Sequence, residues 1–163
     1  MRAAAHELSM VRDEPTECFV CRKHRGELPE PGGAIYDDGV VRAGHSGLGP
    51  NGEPAYLGYL FVEPKRHAAG LGDLTNHEAE ALGLLVTRLS RALRQSENAV
   101  HVYAFVFGDD VPHLHVHVVP RYPGAPREFW GTEVTGWPHA PRGGPNEIAG
   151  LCNRLRSHLE HAG

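Results

Sequence analysis

His113-Leu114-His115-Val116-His117-Val118-Val119-Pro120-Arg121 is the stretch on which the fold turns. Three imidazoles stand at every second position, with branched apolar residues between them. That is the period of a β-strand, and it puts all three rings on one face. Same-face neighbours lie roughly 7 Å apart, so adjacent rings can share one small site. Packing alone explains the repeat poorly, because the rest of the strand is Leu and Val.

Upstream, Val100 to Phe107 is β-rich and mostly apolar, and Gly108-Asp109-Asp110-Val111-Pro112 reads as a tight connection. The two strands should pair as a hairpin. Further back, Thr75-Asn76-His77-Glu78 is a capping box. It precedes an apolar stripe of Ala79, Leu82, Leu85, Val86, Leu89, Ala92 and Leu93, which predicts a helix over about 76–95. Tyr56 to Val62 reads as a strand ending at Pro64, and Ile35 to Val41 as a hairpin around Asp38-Gly39. Gly44 to Pro54 is a loop by composition.

Downstream, residues 121–145 are dense in Gly and Pro and predict a loop ordered by packing, including Phe129-Trp130 and Trp137-Pro138-His139. Ile148, Leu151, Cys152, Leu155 and Leu159 form a second helical stripe, with Cys152 a core residue. The expected class is α+β: an antiparallel sheet of about five strands, one long helix on a face and a C-terminal helix. The element order lacks the βαβ alternation of a doubly wound fold.

The 163 residues suit one domain. A net charge of −4 gives no broad electrostatic reason to bind nucleic acid or an anionic membrane. The N-terminus has no apolar core of a signal peptide, and no stretch approaches the ~18 apolar residues of a membrane span. A cytoplasmic, reducing location is expected. There Cys18-x-x-Cys21 points to metal or redox chemistry rather than a structural disulfide. Of the twelve histidines, His6, His24, His77, His158 and His161 fall outside any motif and read as surface residues. His24 is also close enough in sequence to rival the cysteines' other ligands.

As chemistry the triad has two readings. Its histidines could be ligands of one catalytic zinc, although the outer pair would be roughly 13 Å apart at the backbone. They could instead form a phosphate site, one imidazole attacking and the others setting its tautomer and binding charge.

His113 to Arg121 resembles the signature of the histidine triad (HIT) family of nucleotidyl hydrolases and transferases. The likeness extends over about 18–121: Cys18-Phe19-Val20-Cys21, the Ile35–Val41 hairpin, Gly58 to Pro64-Lys65-Arg66-His67, and Leu74-Thr75 opening the helix. It divides the chain into a polar lead-in at 1–16, a catalytic domain at 17–121, and a loop and helix of that same domain at 122–163. It implies attack by His115 on a nucleotide α-phosphate, with retention at phosphorus through a nucleotidyl-histidine, and contact of His117 with the phosphate. Substrates implied are dinucleoside polyphosphates, nucleoside phosphoramidates or adenylylated conjugates. Cys18, Cys21, His67 and His113 are implied as ligands of a structural zinc, with no catalytic metal. A nucleoside pocket lined by Ile35, Tyr36 and Val41, and a homodimer, follow from the same resemblance.

The chain departs from the family at Gly108-Asp109-Asp110, where Gly-Gln-Ser or Gly-Gln-Thr is usual. These two carboxylates would face substrate or orient the histidines. Arg121 is a candidate phosphate partner or a surface ion-pair residue. A non-catalytic nucleotide-binding protein is the alternative function; a zinc hydrolase using the triad as ligands is a weaker one.

Overall fold

The computed structural model describes residues 18–161; the polar lead-in lies outside them. A short helix α1 (Phe19–His24) precedes the hairpin β1 (Ala34–Asp37) and β2 (Val41–His45). Then come β3 (Ala55–Tyr56), β4 (Leu60–Pro64), the long helix α2 (Asn76–Ser96), the hairpin β5 (His101–Phe105) and β6 (Val116–Arg121), β7 (Arg142–Gly143), and α3 (Pro145–His161). Five strands form one antiparallel sheet in the order β1-β2-β4-β6-β5, and β3 pairs with β7 separately. This is the expected α+β architecture. No described helix is long and apolar enough to cross a membrane.

Strand alternation gives the sheet two unlike faces. Leu60 and Val62 of β4, with Val116 and Val118 of β6, are buried in the core with Leu82, Leu85, Leu89, Ala92 and Leu93 of α2. The apolar stripe of α3 completes that core, and burial pushes the Cys152 thiol up to about 11. Ala79, in the first turn of α2, is exposed. Between the core residues, Phe61 of β4 faces His117 of β6 across the ladder, on the sheet face away from α2.

The capping box forms as expected: Glu78 N–H donates to Thr75 Oγ1 at 3.2 Å and Thr75 N–H to Glu78 Oε2 at 2.8 Å. Arg66 adds a fork onto the same carboxylate at 2.8 and 2.7 Å, tying the residue before His67 to the start of α2.

Two expected elements differ. The strand read over 56–62 is broken by a turn at Gly58, whose φ of +81° suits glycine. A Cβ there would lie 2.9 Å from Pro120 and from the Tyr122 hydroxyl. The triple-histidine stretch is not all strand either. β6 begins at Val116, and the connection from β5 spans ten residues, 106–115, rather than a tight turn. The segment after β6 runs through 3₁₀ turns at Arg127–Phe129 and Gly131–Gly136, and its Val134, Ala140 and Trp137 pack with Tyr56, Val119 and Tyr122.

Candidate functional site

Because β6 starts at Val116, the three histidines do not share one face. His113 lies before the strand, where Leu114 N–H donates to the Ala68 carbonyl, and its ring is fully buried. Its Nε2–H donates to the Pro64 carbonyl at 2.9 Å, which leaves the Nδ1 lone pair facing Cys18 and Cys21, each sulfur 3.5 Å away. His67 Nδ1 is 3.5 Å from Cys21 Sγ. The ligand atoms of Cys18, Cys21, His67 and His113 all lie within 4.8 Å of one another. A tetrahedral zinc with Zn–S of about 2.3 Å and Zn–N of about 2.0 Å implies S···N edges of about 3.5 Å. The donor set and the oriented Nδ1 of His113 therefore fit a closed Cys₂His₂ site.

The two cysteines reach it because α1 is nucleated between them: Cys18 is its N-cap and Cys21 lies one turn on. His24 is neither a surface residue nor part of the donor cluster. Its side chain is 6% exposed and its Nε2 is 2.9 Å from Glu63 Oε2. Glu63 also takes the Lys23 ammonium at 2.6 Å. Burial raises the Glu63 carboxyl, but His24 and Lys23 outweigh it and hold it below its ordinary value.

His115 and His117 form a separate pair, with ring centroids 4.8 Å apart. His115 Nδ1–H donates to the backbone carbonyl of His113 at 2.7 Å, so a neutral ring carries its lone pair on Nε2. His117 Nδ1 is bonded to the Tyr59 hydroxyl at 2.6 Å, and its buried Nε2 has no hydrogen-bond partner among the described residues. Burial, then the charge of His115, pushes the His117 pKa down to about 4, while burial raises that of Tyr59. The Phe61 ring is 5.7 Å from His115 and 5.0 Å from His117, against both rings.

Beside His115 is a cavity of about 150 Å³. Phe19, Val20, Pro29, Phe61 and Val111 supply its apolar wall, and Lys23, Glu30, His45 and Glu63, with His115 itself, its polar positions. His45 is held neutral: Nδ1–H donates to the Ser46 carbonyl, Nε2 accepts from Gly58 N–H, and burial lowers its pKa.

The hairpin residues expected around the nucleoside lie elsewhere. Ile35 and Val41 are buried in the α2 core. Tyr36 lies against α2, 5.6 Å beneath the Arg88 guanidinium. None of the three lines the cavity beside His115: Ile35 and Val41 face the helix, and a bulge in β1 between Ala34 and Tyr36 breaks the alternation, so that Tyr36 also packs against that core. Asp109 and Asp110 are exposed in the 106–115 connection. Arg121 is occupied by Trp130, whose ring centre is 3.6 Å from its guanidinium. Tyr59, Phe61, His45, Lys23 and Glu63 were not singled out from sequence. Glu63 alone carried a signal there, as a carboxylate in an otherwise apolar strand.

The HIT domain model matches residues 33–124, more than half of the chain. Adenosine 5'-monophosphoramidase hnt1 of Schizosaccharomyces pombe is 29% identical over 108 residues, which cover 66% of this chain and 77% of the relative. A zinc-bound histidine triad family protein from Mycobacterium smegmatis superposes with a TM-score of 0.67 at 22% identity, over 90% of this chain and 95% of the other. A hypothetical histidine triad nucleotide-binding protein from Sulfolobus tokodaii gives 0.68 at 22%, over 88% and 93%. With the family's three histidines divided between a donor cluster and a paired site on the open sheet face, the chain belongs to the HIT domain family.

Proposed function

We propose that this protein is a nucleotide hydrolase or nucleotidyltransferase that attacks a nucleotide α-phosphate through His115. The observation that carries this reading is the 2.7 Å bond from His115 Nδ1–H to the His113 carbonyl. It assigns the proton to Nδ1 and leaves Nε2 a nucleophile that needs no separate base. The kinship with an adenosine phosphoramidase supports the substrate class.

The Nε2 lone pair forms a bond to the α-phosphorus, and the bond to the leaving group breaks. The leaving group takes a proton from solvent water, and the water that attacks in the second step returns one to solvent. Water then breaks the N–P bond of the nucleotidyl-histidine, its oxygen going to phosphorus, and His115 returns to its starting form. With the Tyr59 O–H donating to His117 Nδ1, a neutral His117 carries its proton on Nε2 and donates it to a phosphate oxygen. The cavity beside His115 receives the nucleoside: about 150 Å³ is small against the ~300–1,000 Å³ of sites for drug-sized ligands, so it admits one moiety rather than a whole dinucleotide. Cys18, Cys21, His67 and His113 would hold zinc, which would supply a structural tie between α1, the loop after β4 and the segment before His115.

The test is His115→Asn and His115→Ala, assayed on adenosine 5'-phosphoramidate and diadenosine triphosphate, with AMP binding followed separately. Turnover should vanish while AMP still binds, and acid-quenched wild type should carry a nucleotidyl adduct on His115. Full activity in either variant would sink the mechanism. Binding without turnover in the wild type would favour a non-catalytic nucleotide-binding protein, for which the exposed Asp109 and Asp110 are the supporting observation.

A further inference from the structure

The open sheet face carries a second groove, of about 430 Å³, between the 46–54 loop and the Thr135–Arg142 segment. We infer that it is the leaving-group subsite of the reaction put forward above, and that Arg142 reads negative charge on the departing group. The inference rests on that reaction for its name, but not for its test.

The groove and the nucleoside cavity share Gly47 and Phe61. The shared Phe61 ring has its centre 5.0 Å from that of His117, and Tyr59 of the groove is bonded to His117 at 2.6 Å. The ladder pairs Phe61 with His117 and Leu60 with Val118, so the step from His115 to His117 along the chain leads from the first cavity toward Tyr59 and the groove. A phosphorus atom over His115, with its nucleoside in the first cavity, sends its other substituent into the groove.

The chemistry of the walls selects the substituent. Arg142 lies on β7 opposite Tyr56, exposed, its guanidinium 5.9 Å from the Tyr56 ring and donating to the Thr135 carbonyl. Among the described residues no carboxylate forms an ion pair with it, so most of its five donors are available. The carboxylate of this groove, Glu53, is spent on its own turn, accepting from Asn51 N and Nδ2, both at 2.9 Å. A guanidinium fork matches phosphate oxygens, and Tyr59 and Phe61 offer ring surface for a planar group. The groove therefore suits a phosphate-bearing leaving group with an attached ring, rather than a small amine. Thr135 and Arg142 lie beyond the 33–124 match, so this wall is built by the chain's own C-terminal segment.

The probes are AMP and a methylene-bridged, non-hydrolysable analogue of diadenosine triphosphate, titrated calorimetrically into wild type, Arg142→Ala and Arg142→Lys. Wild type should bind the analogue more tightly than AMP. The ratio of the two affinities should fall about tenfold in Arg142→Ala, as for loss of a hydrogen bond to a charged group, and less in Arg142→Lys. No advantage for the analogue in wild type, or an equal loss for both ligands in Arg142→Ala, overturns the subsite. If the ratio behaves as expected but wild type turns over neither adenosine 5'-phosphoramidate nor diadenosine triphosphate, the subsite stands and the catalytic reading fails.

Discussion

His113 and His115 are joined by a hydrogen bond from the ring of one to the backbone of the other: His115 Nδ1–H reaches the His113 carbonyl at 2.7 Å. The His113 ring points elsewhere, into the cysteine cluster, with Nδ1 3.5 Å from both sulfurs. One residue thus belongs to the donor cluster through its side chain and orients the His115 ring through its backbone.

Metal loss should consequently be felt twice. Chelation, or Cys18→Ser with Cys21→Ser, should release bound zinc and lower the melting temperature by roughly 10 °C, a closed site being worth several kcal/mol in a chain of this size. It should also lower kcat, because the His113 carbonyl is no longer held. Metal retained with both cysteines gone would point to ligands other than this cluster.

Tyr59 positions His117 from the neighbouring strand region, through a 2.6 Å bond. Tyr59→Phe keeps the ring against Phe61 and removes only the hydroxyl. We expect kcat to drop roughly tenfold, the scale of one lost hydrogen bond, with KM for AMP-containing substrates nearly constant. A rise in KM at constant kcat would instead make Tyr59 a simple binding residue.

The depressed pKa of His117 has a pH signature. Its ordinary value is 6.5, and burial followed by the charge of His115 brings it to about 4 in the folded chain. Between those values the unfolded chain takes up a proton that the folded chain does not, so acid favours unfolding. Stability should be complete above about pH 6.5, decline down to about pH 4, and gain no further His117 penalty below that. His117→Gln cannot titrate and should show a shallower decline across this window in denaturant titrations. Parallel wild-type and variant profiles would contradict the assignment.

Asp109 and Asp110 are exposed on the connection that leads into the histidines. Asp109→Asn with Asp110→Asn should lower KM for an anionic substrate roughly threefold at low ionic strength, and the effect should shrink as salt screens it. An unchanged KM at low salt would mean that the carboxylates are aimed away from substrate.

Much of the fold was legible because its signals are local. The capping box at Thr75 and Glu78, the leucine stripe of α2, the Asp38-Gly39 turn and the α3 stripe each report a neighbour three or four residues away, or a turn, and each formed where read. The break at Gly58 was hidden. It depends on the approach of Pro120 and Tyr122, more than sixty residues away, which no periodicity reports. The position of Ile35 and Val41 in the helix-side core was hidden for a related reason: a core wall and a pocket wall have the same composition, and only the sheet's facing tells them apart.

By itself the sequence determined the class of fold and the family, because alternation, helical spacing and the nine-residue histidine signature are properties of the chain's order. Only the tertiary structure decided how the three histidines divide. A strand period puts all three rings on one face, but the strand begins after His115, where Leu114 is bonded to Ala68 and His113 to Pro64. Those long-range bonds turn the His113 ring toward the cysteines and leave His115 and His117 with Tyr59 and Phe61 on the open face. A carbonyl from a distant part of the chain, Pro64, fixes the tautomer of His113, whereas that of His115 is set two residues away by the His113 carbonyl.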